Sequence, residues 1–285
     1  MEQRYATHPD QVPGMDTQGL RDAFLLEQVF VPGEVTLVYT HHDRIVLGGA
    51  VPAGTVLTLP ADPEIRSEYF LEHREVGIVN LGGTGTVTAG GETFTMPKGA
   101  CLYLGRGTDG VELADATSAD GGPEDAAQPG AQFYLFSAPA HTTYPNALVL
   151  PGEGNRLELG DPLTSNRRTL NQYVHENGVR SCQVVMGVTE LHPGSMWNTM
   201  PAHTHDRRTE CYLYFDVPDD ARVVHLCGEP DQTRHLLVAD RQAVISPSWS
   251  VHSGVGTASY SFVWAMAGEN QAFSDMDTFP VTDMR

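Results

Sequence analysis

His203 and His205 are separated by one residue, Glu210 follows five positions later, and His252 comes much further along the chain. Imidazole nitrogens and carboxylate oxygens are the donors that proteins offer to a divalent metal. Three of the former with one of the latter suit zinc, and also iron, manganese or nickel. In an extended strand, side chains two apart share a face, so His203 and His205 can address one ion from a single strand. Glu210 has the wrong parity for an unbroken strand, and the run Asp206-Arg207-Arg208-Thr209 is expected to turn or bulge and re-aim it. A cation held by these four side chains would polarise carbonyl or hydroxyl oxygens as a Lewis acid.

Such a site needs rigid strands to carry it, and the sequence supplies many. Short runs rich in Val, Leu, Thr and aromatics lie between Gly and Pro, among them Val35-Tyr39, Gly77-Leu81, Cys101-Leu104, Phe133-Phe136, Cys182-Val188, Tyr212-Phe215, Val223-Leu226, Leu236-Val238 and Tyr260-Met266. Frequent turns between short strands predict an all-β sandwich or barrel. Tyr260, Phe262, Trp264 and Met266 alternate with small residues, which predicts a half-buried strand. One helix is expected near the start, capped by Asp16 and ended by Pro32-Gly33. Gly82-Gly83-Thr84-Gly85 is expected to be a hairpin turn, because no helix or Lys follows it as a phosphate loop requires. The segment Asp115 to Gln132, rich in Ala, Asp, Gly and Pro, is expected to be an exposed, mobile loop. Pro97-Lys98-Gly99-Ala100-Cys101-Leu102 and Pro247-Ser248-Trp249-Ser250-Val251-His252 each place a Pro-led turn before a strand. This weak repeat suggests two similar β domains, residues 1–150 without a metal motif and residues 151–285 with one.

Composition limits the partners. Of 285 residues, 36 are acidic and 17 basic, a formal net charge of −19, which disfavours nucleic acid and anionic membrane. An anionic small molecule would need a local Arg or Lys. No run approaches the roughly 18 apolar residues of a membrane span, and no apolar signal segment opens the chain. Cys101, Cys182, Cys211 and Cys227 form no C-x-x-C pair and read as reduced thiols of a cytosolic protein.

The run from Gly194 through His203 and His205 to Glu210, with Pro247 to His252, resembles the two-part metal motif of the cupin superfamily. A resemblance over almost the whole chain is more specific. It is carried by Arg4-Tyr5-Ala6-Thr7-His8-Pro9, Phe30-Val31-Pro32-Gly33-Glu34, Ser137-Ala138-Pro139-Ala140-His141 and Thr164-Ser165-Asn166-Arg167-Arg168-Thr169. Trp197-Asn198-Thr199-Met200-Pro201, Ile245-Ser246-Pro247-Ser248-Trp249-Ser250 and Trp264-Ala265-Met266-Ala267-Gly268-Glu269-Asn270 continue it. These runs are similar to the 5-keto-4-deoxyuronate isomerase family, the 4-deoxy-L-threo-5-hexosulose-uronate ketol-isomerases. The resemblance implies two cupin domains, one Zn2+ per subunit, a homohexamer, and a cytoplasmic role in pectin and uronate breakdown. It places the four zinc ligands on His203, His205, Glu210 and His252.

The chemistry so implied is an aldose–ketose isomerisation, which needs a group to move a proton beside the metal. Tyr212 shares the face of Glu210 by parity, as does Tyr214, while Glu190 and His192 lie on the approach to the motif. A metal-bound hydroxide is a further source. The substrate carboxylate wants a guanidinium fork, for which Arg167 and Arg168 are the expected pair and Arg207-Arg208 the rival. Rival readings are another cupin sugar-acid isomerase of the 5-deoxyglucuronate type and an iron-dependent cupin dioxygenase.

Overall fold

The computed structural model of the chain describes residues 1–116, 130–269, 271–272 and 274–285. The loop expected between Asp115 and Gln132 lies, for residues 117–129, outside the described residues. Its flanks are tied: Asp115 accepts from the Gly54 amide at 2.8 Å and from the Ala131 amide at 2.7 Å.

Among the described residues, the strands form four sheets. A seven-stranded sheet runs in the order Glu2–Arg4, Val35–Thr40, Val46–Ala50, Phe133–Pro139, Arg74–Asn80, Cys101–Leu104, Ala147–Val149. A second has the order Asn155–Leu159, Arg168–Val174, Val185–Leu191, Ser261–Gly268, Arg208–Phe215, Ala243–Ser246, Leu25–Leu26. Each is backed by a smaller sheet. Leu57–Thr58, Glu112–Asp115, Gly85–Ala89 and Glu92–Met96 back the first, and Gln232–Val238, Val223–Glu229, His252–Gly256, Trp197–Thr204 and Asp277–Thr278 back the second. The two halves repeat one topology, since the central strands of both pairs of sheets match in order. The chain is therefore all-β, built as two jelly-roll sandwiches.

Packing follows from residue alternation. In Ser261–Gly268, Phe262, Trp264 and Met266 fill the interior of the second sandwich, while Val263, Ala265 and Ala267 pack against the other seven-stranded sheet. The expected half-buried strand is thus buried on both faces, and its small residues let the two large sheets approach. The same holds for Arg208–Phe215: Tyr212 and Tyr214 point inward, while Cys211, Leu213 and Phe215 face Tyr103, Tyr134 and Phe136 of the first sheet. Gly187 is required beside this wall, because a Cβ there would run into the Trp264 ring and the Asn171 carbonyl.

Three further expectations are corrected. The helix is Thr17–Phe24, capped as expected by Asp16 Oδ1 on the Gly19 amide at 2.8 Å, but it ends well before Pro32. Leu25 turns extended and, with Leu26, pairs with Ala243–Ser246, so the two leucines reach opposite cores. Gly82 to Gly85 is not a hairpin turn. It joins Arg74–Asn80 of the large sheet to Gly85–Ala89 of the small one, a corner held by Asn80 Nδ2 on the Gly83 carbonyl at 2.8 Å. The repeat is real in architecture but not in the alignment read from the prolines. Both Pro-led turns form, with Ala100 and Ser250 amides on the Pro97 and Pro247 carbonyls. Yet Cys101–Leu104 lies in a large sheet, where its counterpart is Ala243–Ser246, and His252–Gly256 lies in a small one.

The halves are joined by a buried carboxylate. Glu75 accepts from the Cys182, Gln183 and Val184 amides at 2.6–2.7 Å and from the Tyr103 hydroxyl at 2.6 Å. Glu75→Ala strands those donors, and the expected loss is roughly 3 kcal/mol or more, since each buried orphan donor costs about 1–3 kcal/mol. Urea denaturation reads this directly, and a loss under about 1 kcal/mol would show that the clamp is not a main tie between the halves.

Candidate metal centre and active-site cavity

The parity problem of Glu210 is resolved by topology. His203 lies on Trp197–Thr204 in the five-stranded sheet, and the chain turns at Asp206-Arg207 into Arg208–Phe215 of the facing seven-stranded sheet. His203 is the direct cross-strand partner of His252, so these two share a face. Glu210 therefore meets the imidazoles across the sandwich and not along one strand.

His203 Nε2 lies 3.2 Å from His205 Nε2 and 3.0 Å from His252 Nε2. Glu210 Oε2 lies 2.7 Å from His205 Nε2 and 2.8 Å from His252 Nε2. All four residues are buried, and one ligand atom from each lies within 4.8 Å of every other. His205 Nδ1 is 2.7 Å from the Asp275 carbonyl, which accepts its proton. His205 Nε2 then faces the Glu210 carboxylate. Burial first, then the neighbouring His252, pushes His203 down to about 2, so His203 is a neutral donor. Burial pushes the Glu210 carboxyl up, but the adjacent His252 and His205 outweigh it and hold it well below the usual range. Lone pairs converging on one point in a dry interior are mutually repulsive, and a cation among them removes the repulsion. The donor set fits a divalent metal ion.

The cluster opens into a cavity of about 300 Å³. Arg168, Tyr212, Thr199 and Thr189 supply its polar wall, and Leu159, Leu170, Met200, Phe262, Trp264, Met266 and Met276 its apolar one. Arg168 is part-buried, with Nη1 donating to the Asn166 carbonyl at 2.9 Å. The Tyr212 hydroxyl shares a 3.0 Å hydrogen bond with Thr199 Oγ1. Thr199 holds φ at +51°, in the left-handed region that a β-branched residue rarely adopts, where the strand is irregular between Asn198 and His203. Burial and then the Glu210 charge push the Tyr212 phenol well above its ordinary value, so it keeps its proton at neutral pH.

The other sequence candidates lie elsewhere. Arg167 is exposed and off the cavity wall. Glu190 is exposed on the opposite face from Thr189, with Asn171 Nδ2 at 3.4 Å. His192 Nε2 sits 2.9 Å from Thr169 Oγ1 and 3.4 Å from Glu158. Tyr214 is fully buried and bonds His225 Nδ1 at 2.7 Å. Arg207 pairs with Asp275 at 3.2 Å. Sequence reasoning missed Met276 and Thr278, which reach the cavity because Asp277–Thr278 pairs with His203–Thr204. A two-residue strand in a C-terminal tail gives no signal for this.

Residues 24–280 match the KduI/IolB family. The chain belongs to the KduI/IolB family. Relatives within it match end to end. The 4-deoxy-L-threo-5-hexosulose-uronate ketol-isomerase of Kineococcus radiotolerans is 68% identical over 286 aligned residues, covering 100% of both chains. Its namesakes from Shouchella clausii and Escherichia coli are 49% and 48% identical, again over 100% of both chains. The chain is accordingly an enzyme, an intramolecular oxidoreductase of the ketol-isomerase class. Among solved structures, an IolB-like protein from Salmonella typhimurium LT2 superposes with a TM-score of 0.70 at 16% identity, covering 90% of this chain and 96% of that one. A mutant oxalate decarboxylase from Bacillus subtilis superposes at 0.51 and 12% identity, covering 82% and 70%. These two share the cupin fold. Among the described residues, no helix is long and apolar enough to cross a membrane.

Below the cavity, burial lowers His225 to about 3. The unfolded imidazole titrates near its ordinary value of about 6.5, so between these values the unfolded chain binds the extra proton. Stability from this residue is full above about pH 6.5 and falls by about 1.4 kcal/mol per pH unit as pH drops toward the folded value. Urea midpoints of metal-free protein between pH 7 and 5 should show this slope, and His225→Gln should flatten it by that amount. Equal slopes in the two proteins would refute the assignment.

Proposed function

We propose that the chain is a zinc-dependent isomerase that converts 5-dehydro-4-deoxy-D-glucuronate to 3-deoxy-D-glycero-2,5-hexodiulosonate in uronate and pectin degradation. The observation that carries the reading is one cavity lined by His203, His205, Glu210, Arg168 and Tyr212, with His252 completing the donor cluster at its end. The names of the full-length relatives support the substrate. We further read the protein as a cytoplasmic homohexamer with one zinc per subunit, divided near residue 150 into a first unit without metal and a second that holds it.

The open-chain substrate carries an aldehyde at C1, hydroxyls at C2 and C3, a ketone at C5 and a carboxylate at C6. A base takes the C2 proton while O1 gains one, giving an enediol; C1 then gains a proton as O2 loses its own and the carbonyl appears at C2. His203, His205, Glu210 and His252 would hold the zinc, which would supply Lewis acidity to the reacting oxygens. Arg168 offers its guanidinium to the C6 carboxylate and fixes the sugar acid in one direction. Of Tyr212, Tyr214, Glu190 and His192, Tyr212 is the one on the wall. Its hydroxyl, still protonated at neutral pH, donates to the oxygen where charge develops, with Thr199 orienting it. The apolar wall of Leu170, Phe262, Trp264 and Met266 keeps water from the enediol.

The deciding experiment is proton NMR of the metal-replete protein with fresh substrate in the absence of oxygen. Conversion to the 2,5-hexodiulosonate is expected. Its absence, or a requirement for oxygen, would overturn the reading in favour of another sugar acid or of oxidation. Steady-state kinetics then separates the roles. Arg168→Lys should lower kcat/KM by about 10- to 100-fold, mostly through KM, since it loses one charge-assisted fork. Tyr212→Phe should lower kcat by about 100-fold or more with KM little changed.

A further inference from the structure

Arg208 is the largest side chain buried to less than 2% exposure, yet it stands beside the metal cluster and not within it. Its guanidinium serves the C-terminal segment. Nη1 donates to the Ala272 carbonyl at 2.8 Å and Nη2 to the Asp275 carbonyl at 3.2 Å, with His205 Nδ1 at 3.3 Å from Nη2. The Asp275 carbonyl is the same oxygen that takes the His205 Nδ1 proton at 2.7 Å. Arg207, next in sequence, pairs with the Asp275 carboxylate at 3.2 Å, and the Phe279 amide donates to the Ala202 carbonyl at 3.0 Å. At the far end Gln271 Nε2 donates to Ser181 Oγ and the Ser181 carbonyl, beside the amides that Glu75 holds. Met276 and Thr278 of this segment line the cavity.

We infer that Arg208 is a positioning residue: it clamps the segment 274–278 over the metal end of the cavity and, through the Asp275 carbonyl, fixes the tautomer and ring direction of His205. The inference rests on the reading of His205 as a metal ligand. A backbone carbonyl cannot choose its own position, so something must hold it, and a buried planar cation spanning two carbonyls does so with little freedom. Lys, a compact point charge, lacks the fixed planar fork that spans both while lying beside an imidazole. Arg208 does not line the cavity, and its effect travels through His205 and the segment.

Two readouts independent of turnover test this. The first is zinc affinity of the full chain, by competition with a chromophoric chelator. Arg208→Lys is expected to weaken it about 10- to 100-fold, the usual cost of removing the partner that orients a ligating histidine. The second needs no variant, so it stands even if Arg208→Lys folds poorly. Because segment and metal bind the same imidazole, their coupling is reciprocal, and zinc should slow hydrogen exchange of the amides at 275–279 relative to chelator-treated wild type. Wild-type zinc affinity in a folded Arg208→Lys, or exchange at 275–279 that is the same with and without zinc, would overturn the inference and leave the ligand set standing. A coupled segment in a protein that fails to turn over the uronate would sustain the inference and overturn the substrate instead.

Discussion

Three imidazole nitrogens and a carboxylate oxygen aimed at one point, all within 4.8 Å of one another and all buried, form an arrangement that no apolar core adopts of its own accord. Burying polar atoms without partners costs several kcal/mol, and turning their lone pairs on one another adds repulsion. The arrangement persists only because the backbone gives the four residues no alternative. His203 and His252 are fixed opposite each other by sheet register, and Glu210 is fixed on the facing sheet by a strand buried on both sides. The turn at Asp206-Arg207 spans the gap between sheets, which sets how far apart the donors sit.

That demand explains the rest of the molecule's plan. A strand that must not shift needs packing on both faces, and Arg208–Phe215 receives it from two different sandwiches. The first unit has the same topology, but its interior is filled with Phe70, Leu71, Val76, Ile78, Val87, Leu113 and Phe133. It packs its large sheet against the back of the sheet that carries Glu210, and Glu75 ties it to the 182–184 backbone. Rigidity at the donors is thus built from a second, apolar copy of the same architecture.

Much of this was legible in the sequence, and the gaps have physical reasons. Residue types marked His203, His205, Glu210 and His252, because those donors are rarely collected by chance near Pro-led turns. Alternation placed Tyr212 and Tyr214 with Glu210, and both do share its face. It could not say that Tyr212 lines the cavity while Tyr214 lies deeper against His225, because depth along a strand leaves no mark on period. Arg167 and Arg168 were indistinguishable until the strand was known to start at Arg168, with Leu170 on the same side. Glu190 and His192 lie off the cavity wall for the same reason, since Thr189 holds the inward place. The carbonyl of Asp275 was invisible in principle: any residue supplies a carbonyl, so its role depends on where the tail runs. The proline-led alignment failed because such turns precede strands in either layer of a sandwich.

The electrostatics of the cavity bear on how an acid reaches it. The chain carries a formal charge of −19, so its far field repels an anionic sugar acid. Salt screens that repulsion over about 8–10 Å, whereas a part-buried guanidinium in an apolar wall acts at short range and is screened far less. Arg168, together with a divalent cation were one held at Glu210, would make the cavity locally positive inside a negative surface. An anion that crosses the outer field then meets two positive groups in a low-dielectric enclosure, where each interaction is stronger than in water. A neutral sugar would feel only the metal. Selectivity for an acid with oxygens at its other end would therefore arise from pairing the metal with Arg168 in one enclosure, with no contribution from the protein's overall charge.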